Sequence, residues 1–153
     1  MKKQIKIKGL YVIVDPSMCK KNSILETTDA ILSGGANIIQ YRDKNNPITK
    51  QIEIARKIKK LCEKYSTFFI INDNPELALI TNSHGLHIGQ EDIPISLAKT
   101  ILNHNQIIGT SNNNLNQVLE LINVLRPEIS YLTHISHNMG FHDEVSKKLP
   151  ENL

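Results

Sequence analysis

The chain has 153 residues, 40% of them hydrophobic and 22% charged, with a net charge of +3 from 18 basic and 15 acidic side chains. Those values describe one ordinary globular domain, long enough to bury roughly two-thirds of its extended surface without a disulfide or metal staple. A positive balance this mild, with no groove-reading motif, argues against nucleic acid as a partner. The apolar run "LYVIV" behind the basic N-terminus is too short for a signal peptide or a membrane span.

In chain order, "IKGLYVIVD" (6 to 15) is rich in Val, Ile and Tyr and predicts a buried strand. "SILETTDAILSGG" (23 to 35) predicts a helix with Ser23 as N-cap, Glu26 completing a capping box, and Gly34 or Gly35 as the stop. "ANIIQY" (36 to 41) is a second strand. "NPITKQIEIARKIKKLCEKY" (46 to 65) is the clearest helix, with Ile48, Ile52, Ala55, Ile58, Cys62 and Tyr65 along one stripe. Its cationic residues, Lys50, Arg56, Lys57, Lys60 and Lys64, read as a solvated face. Strand "TFFIIN" (67 to 72) and the short helix "NPELALI" (74 to 80), with Asn74 and Pro75 as start signals, follow, then strand "HGLHIG" (84 to 89) and helix "IPISLAKTIL" (93 to 102). Strand "QIIGTS" (106 to 111) and helix "NNLNQVLELINVL" (113 to 125) complete the series. The last helix turns Leu115, Val118, Leu119, Ile122 and Leu125 inward, with Pro127 as terminator. Five consecutive βα units predict an α/β fold with a parallel sheet and helices packed outside it, because parallel strands need helical crossovers. Cys19 and Cys62 lie far apart, without C-x-x-C spacing, and suit a reducing, cytoplasmic compartment.

Polar residues gather where strands end. Gln40, Arg42 and Lys44 are spaced two apart, so they share one side, with Tyr41 and Asp43 on the other. "NDN" (72 to 74), "GQED" (89 to 92) and "GTSNN" (109 to 113) close the next three strands. Ligands of α/β folds bind beyond the carboxyl ends of parallel strands, where the βα loops converge. Arg42 and Lys44 supply positive charge suited to a phosphate or pyrophosphate. Asp73 and Asp92 supply hard oxygen ligands. Held about 5 Å apart they would repel by roughly 3 kcal/mol at an effective dielectric of about 20, a cost that a divalent cation such as Mg²⁺ removes. The plainer reading makes Asp73 and Asp92 caps of the helices that follow them. Asn72 and Ser111 could donate hydrogen bonds to the same phosphates.

Together "LYVIVD", "GGANIIQYRDK", "FIINDNPELAL", "HGLHIGQEDIP" and "IIGTS" resemble thiamine-phosphate synthase in order and approximate spacing, over about residues 9 to 124. The resemblance implies a TIM barrel that joins hydroxymethylpyrimidine diphosphate to thiazole phosphate, releasing pyrophosphate. It implies that Gln40, Arg42 and Lys44 cradle the pyrimidine diphosphate, that Asn72 and Ser111 contact it, and that Asp73 and Asp92 hold Mg²⁺. The implied mechanism is dissociative, with the metal and cations stabilising the departing pyrophosphate. A thiazole tautomerase of the same fold lacks that aspartate pattern and depends on a histidine after strand five, where this chain has "TSNNN".

Beyond residue 125 the resemblance lapses. A sixth strand fits Ile129, Tyr131, Thr133 and Ile135, but the family's G-P-x-x-P-T-x-T-K-like motif does not follow, and Lys147 and Lys148 stand outside it. The expectation is an incomplete TIM-barrel-like repeat, five to six βα units of eight, over residues 1–125, with a divergent tail at 126–153 that leaves the thiazole phosphate site missing. Such a truncated chain would expose sheet edges open to self-association or a partner. Three readings follow: a synthase completed by a second polypeptide, a non-catalytic remnant that binds magnesium pyrophosphate, and an interaction module. His134, His137 and His142 of the tail read as surface histidines, and His87 as structural.

Overall fold

The computed structural model describes residues 8–19, 23–112 and 114–125, apart from the side chains of residues 124 and 125. The sixth-strand expectation, the tail histidines, the proposed domain boundary and the inward placement of Leu125 lie outside the described residues and side chains. Five strands, β1 (Tyr11–Val14), β2 (Ile38–Tyr41), β3 (Phe68–Asn72), β4 (Gly85–Ile88) and β5 (Ile107–Thr110), form one parallel sheet in sequence order. Between them run α1 (Ile24–Ser33), α2 (Ile48–Lys64), α3 (Pro75–Ile80) and α4 (Ile95–Ile101), and α5 (Leu115–Leu125) follows β5. This is the α/β repeat the sequence predicts.

The local causes are mostly those expected. Ser23 and Glu26 close a reciprocal capping box at α1, and Gly35 takes φ +95 just past its end, a conformation that costs a glycine nothing. Asn74 caps α3 by accepting from the Leu77 N–H, with Pro75 at the first helical position. Helix α2 has no side-chain cap because its N-cap residue is Pro47, which offers no acceptor, and Asn46 before it gives its amide to Asp43. Its buried stripe also departs from expectation. Ile54 joins Ala55, Ile58 and Cys62 in the core, whereas Ile48 stays exposed in the first turn, before the helix reaches the sheet. Burial pushes the Cys62 thiol up to about 12, so it behaves as a small core residue. The cationic side of α2 is laced with ion pairs, Glu53 bridging Lys50 and Lys57 and Glu63 meeting Lys59, as a solvated face should be.

Strand faces alternate without exception. Val14, Ile39, Tyr41, Phe69, Ile71, Leu86 and Ile88 pack against the helices in one apolar cluster. The opposite face carries the register row Ile13, Gln40, Ile70, Gly85 and Ile107. Of β1 only Val14 is buried and Val12 is half-buried, contrary to expectation: Tyr11 and Ile13 are 42% and 56% exposed. Among the described residues its one paired neighbour is β2, and these two residues sit on the face away from the helices.

Two rungs of the sheet are unusually constrained. Gly85 lies so close to β5 that an added Cβ would stand 2.5 Å from the Ile107 carbonyl oxygen, a backbone atom with little freedom to retreat. His84 and Phe69 exchange two bonds: the His84 N–H donates to the Phe69 carbonyl (2.8 Å), and the Phe69 N–H donates to His84 Nδ1 (2.9 Å). That acceptor exists only while Nδ1 is unprotonated. Burial holds the His84 pKa below its ordinary value, the nearby Lys59 adding to the effect.

Gly85→Ala should therefore destabilise the fold by about 1–3 kcal/mol in urea denaturation, the usual cost of forcing atoms into a packed site. The unfolded chain takes up the His84 proton more readily than the folded one, so stability should fall as pH drops below about 6.5 and level off below the folded value. His84→Gln should flatten that slope, leaving the part due to His87; an unchanged slope would place the titration elsewhere.

Candidate functional site

The carboxyl ends of β1 to β4 bring charged residues to one rim. Tyr41 ends β2 against the helices, and the next residue, Arg42, follows Gln40 to the opposite side of the sheet. Arg42 Nη1 donates to Asp15 Oδ2 at 2.6 Å. Asp15 follows β1 directly, as Arg42 follows β2, and Val14 pairs with Tyr41 in register, so the backbone sets the two side by side. Lys44 reaches across the next strand to Asp73 Oδ2 at 2.7 Å. That contact raises the Lys44 pKa first, and the charges of Asp73 and then Asp92 raise it further. Asp92 accepts a 2.7 Å bond from the Gly89 N–H, the main cause of its lowered pKa. Burial opposes this shift, while contact with Asp73 and the charge of Lys44 add to it.

The loop that presents Lys44 is itself pinned. Asp43 accepts from the N–H groups of Asn45 and Asn46, from the Asn46 amide and from the Tyr41 hydroxyl, the last at 2.7 Å. This is an Asx-type turn, with the carboxylate standing in for backbone acceptors. Burial, then the Asp43 bond, raises the Tyr41 pKa far above the usual phenol value, so it remains a donor.

Of the predicted residues, Arg42, Lys44, Asp73 and Asp92 meet at this rim. Neither aspartate caps a helix by its side chain: Asn74 caps α3, and Pro94 precedes α4 with no side-chain cap. Gln40 lies one layer lower, 2% exposed, its Nε2 donating to the Tyr11 hydroxyl at 2.8 Å. Asn72 pairs in register with His87 at the end of β3. Ser111 sits past β5, with its Oγ 2.9 Å from His87 Nε2 and its carbonyl accepting from Gln90. Burial lowers the His87 pKa against the opposing charges of Asp73 and Asp92, so the ring is neutral at pH 7. Gly109 makes room for it: an added Cβ would meet His87 Nδ1 at 2.9 Å.

Two residues escape the sequence reading. Asp15 occupies the same strand-end position as the clusters that were singled out, and that rule applied to the first strand finds it. Tyr11, two turns of the pleat earlier, lies in the run expected to be a buried strand. His87, expected to be structural, joins β4 to Ser111.

The backbone at Asp73 is left-handed, φ +63, unusual for a residue other than glycine. Its N–H donates to the His87 carbonyl at 2.7 Å, which anchors the turn in that conformation. Strain of this kind persists where surrounding structure holds it and concentrates at functional sites.

Comparison with known proteins gives a consistent picture. The family model described as thiamine monophosphate synthase matches residues 10–133. A thiamine-phosphate synthase of Nostoc sp. is 39% identical over 113 residues, which cover 74% of this chain and 31% of that one. The thiamine-phosphate synthase of Clostridium perfringens strain SM101 is 38% identical over 115 residues, 75% of this chain and 55% of that one. The solved thiamine phosphate pyrophosphorylase of Pyrococcus furiosus has a TM-score of 0.68 and 36% identity, covering 74% of this chain and 55% of that one. The chain thus spans about half the length of these relatives, and in the Nostoc case about a third.

Asp73→Gly removes the φ > 0 strain and one of two neighbouring carboxylates, at the cost of an exposed ion pair worth about 0–1 kcal/mol. Its unfolding free energy should equal the parent's or exceed it by up to about 1 kcal/mol; a clear loss of stability would mean that Asp73 is retained for the fold.

Proposed function

This chain belongs to the thiamine monophosphate synthase family, and from that premise we propose that its rim receives a substrate diphosphate together with Mg²⁺. This is the half of the synthase reaction in which hydroxymethylpyrimidine diphosphate is bound and its pyrophosphate leaves. The observation that carries the proposal is the charge of the rim. Arg42 and Lys44 face three carboxylates, Asp15, Asp73 and Asp92, while His87 is neutral. One negative charge is left over, so a bare diphosphate meets net repulsion. A divalent ion held by Asp73 and Asp92 reverses the sign.

The donor set suits magnesium. Two hard carboxylates come together, and among the described residues no third carboxylate, histidine or cysteine groups with them to form a closed site. Magnesium is commonly held in this way, by one or two carboxylates with water and substrate phosphates completing the shell. When bound, it would withdraw charge from the phosphate oxygens. In this reading Arg42 takes the diphosphate with the guanidinium donors that Asp15 leaves open, and Lys44 turns from Asp73 to the same group. Asn72 and the Ser111 hydroxyl supply neutral donors at the neighbouring strand ends. Gln40 forms the floor beneath the pyrimidine. The gain in rate comes from stabilising charge on the leaving group, a preorganised electrostatic effect that needs no acid–base residue. Cys19 and Cys62 are free thiols and no helix among the described residues is long and apolar enough to cross a membrane, in keeping with a cytoplasmic setting.

Isothermal titration with inorganic pyrophosphate tests this directly. Binding should appear with Mg²⁺ and vanish in EDTA, and Asp73→Asn or Asp92→Asn should remove that dependence. Arg42→Ala should weaken binding about ten- to a hundred-fold, the value of a charge-assisted hydrogen bond. Equal affinity in EDTA, or an Arg42→Ala variant indistinguishable from the parent, would sink the reading.

A further inference from the structure

Asp15 is engaged on both oxygens. Oδ2 accepts from Arg42 Nη1, while Oδ1 accepts from the Ser17 N–H (2.9 Å) and the Ser17 hydroxyl (2.6 Å) at the start of a 3₁₀ turn, Pro16–Met18. Burial alone would raise its pKa, but the bonds from Ser17 and Arg42 outweigh it, so the carboxyl stays charged. The Asp15 side chain is 9% exposed and the Arg42 side chain 42%, so the pair has a fixed end and an open end. The Arg42 N–H also donates to the Val14 carbonyl at 2.9 Å, which ties its backbone to the strand that carries Asp15.

We propose that Asp15 is a positioning residue for the diphosphate seat: it holds the Arg42 guanidinium in its working rotamer and leaves the remaining donors free for phosphate oxygens. The inference rests on the reading of the rim as a diphosphate site. Arginine carries five N–H donors in a rigid fork on a flexible stem, so one buried anchor at Nη1 removes most of the stem's freedom without exhausting the fork. Two other roles are available to a carboxylate in this place. It could serve only the 3₁₀ turn, or it could compete with the ligand for Arg42. Competition requires the carboxylate to give up Arg42 when the ligand arrives, and it would have to do so while Ser17 holds it in place.

The test uses Asp15→Asn, which keeps a capping acceptor for Ser17 and removes the charge facing Arg42. Titration of the full chain with pyrophosphate and Mg²⁺ should show about ten-fold weaker binding, and less than about two-fold further change when Asp15→Asn is added to Arg42→Gln. Unchanged affinity, tighter binding, or the same loss in both backgrounds would overturn the proposal. Tighter binding would identify Asp15 as a competitor. A second signature needs no ligand: the Arg42 side-chain N–H resonances, assigned through Arg42→Gln, should exchange slowly in the parent and rapidly in Asp15→Asn, and equal exchange would also overturn it. Should Asp15→Asn fail to fold, Ser17→Ala removes only the hydroxyl contact and should cost about two- to five-fold in affinity; no loss would count against the proposal. A parent that fails to bind magnesium pyrophosphate removes the diphosphate reading, and this one with it. A parent that binds, with a variant that matches it, removes this one alone.

Discussion

The parallel register between neighbouring strands sets every other relationship at the rim. With Val14 opposite Tyr41, and Tyr41 opposite Ile71, the residues that follow each strand emerge side by side at one level. Opposite charges then have little choice of partner. Arg42 meets Asp15 across one gap and Lys44 meets Asp73 across the next, so two ion pairs stitch β1, β2 and β3 together at their carboxyl ends. Exposed pairs add little to stability, and the half-exposed Lys44 contact is of that kind. Their consequence is directional: each cation has a defined starting position, and each carboxylate a defined orientation.

The arrangement is balanced close to neutrality, and this distinguishes it from a plain basic pocket. A pocket of free cations would collect any phosphate in the cell. A rim whose cations are already matched offers a lone anion little net attraction, and the proposed dependence on a metal ion rests on that balance. The left-handed turn at Asp73 and the Asx turn at Asp43 keep the loops stiff enough for the balance to persist.

Much of the architecture could be read from residue patterns. Alternating strand and helix periods, the Ser23–Glu26 box and the Asn74–Pro75 start all reappear in place, because each is a local device whose partners lie within four residues. Strand-end clustering likewise pointed to Arg42, Lys44, Asp73 and Asp92. The failures were of another kind. Exposure of Tyr11 and Ile13 depends on which strands stand beside β1, and an apolar run says nothing about that. Ile54 replaced Ile48 in the α2 stripe because helix placement on the sheet, more than helical period, decides which turn is covered. The pairing of Asp15 with Arg42 spans 27 residues, beyond any local pattern. Membership in the synthase family accounts for the motifs at the rim, and the chain's coverage of about half of its relatives limits that account to the strands described.

The reciprocal bonds between His84 and Phe69 carry a consequence for how the sheet assembles. A strand apolar on both faces, such as "FFIIN", lacks the polar alternation that would penalise a one-residue slip. An imidazole nitrogen acting as acceptor in the ladder breaks that degeneracy, for neither Ser83 nor Gly85 offers an equivalent nitrogen to the Phe69 amide. The pair works as a detent, clicking β4 into a single alignment three rungs below the Asn72–His87 rung, so that the level of the charged rim is settled at the opposite end of the strand.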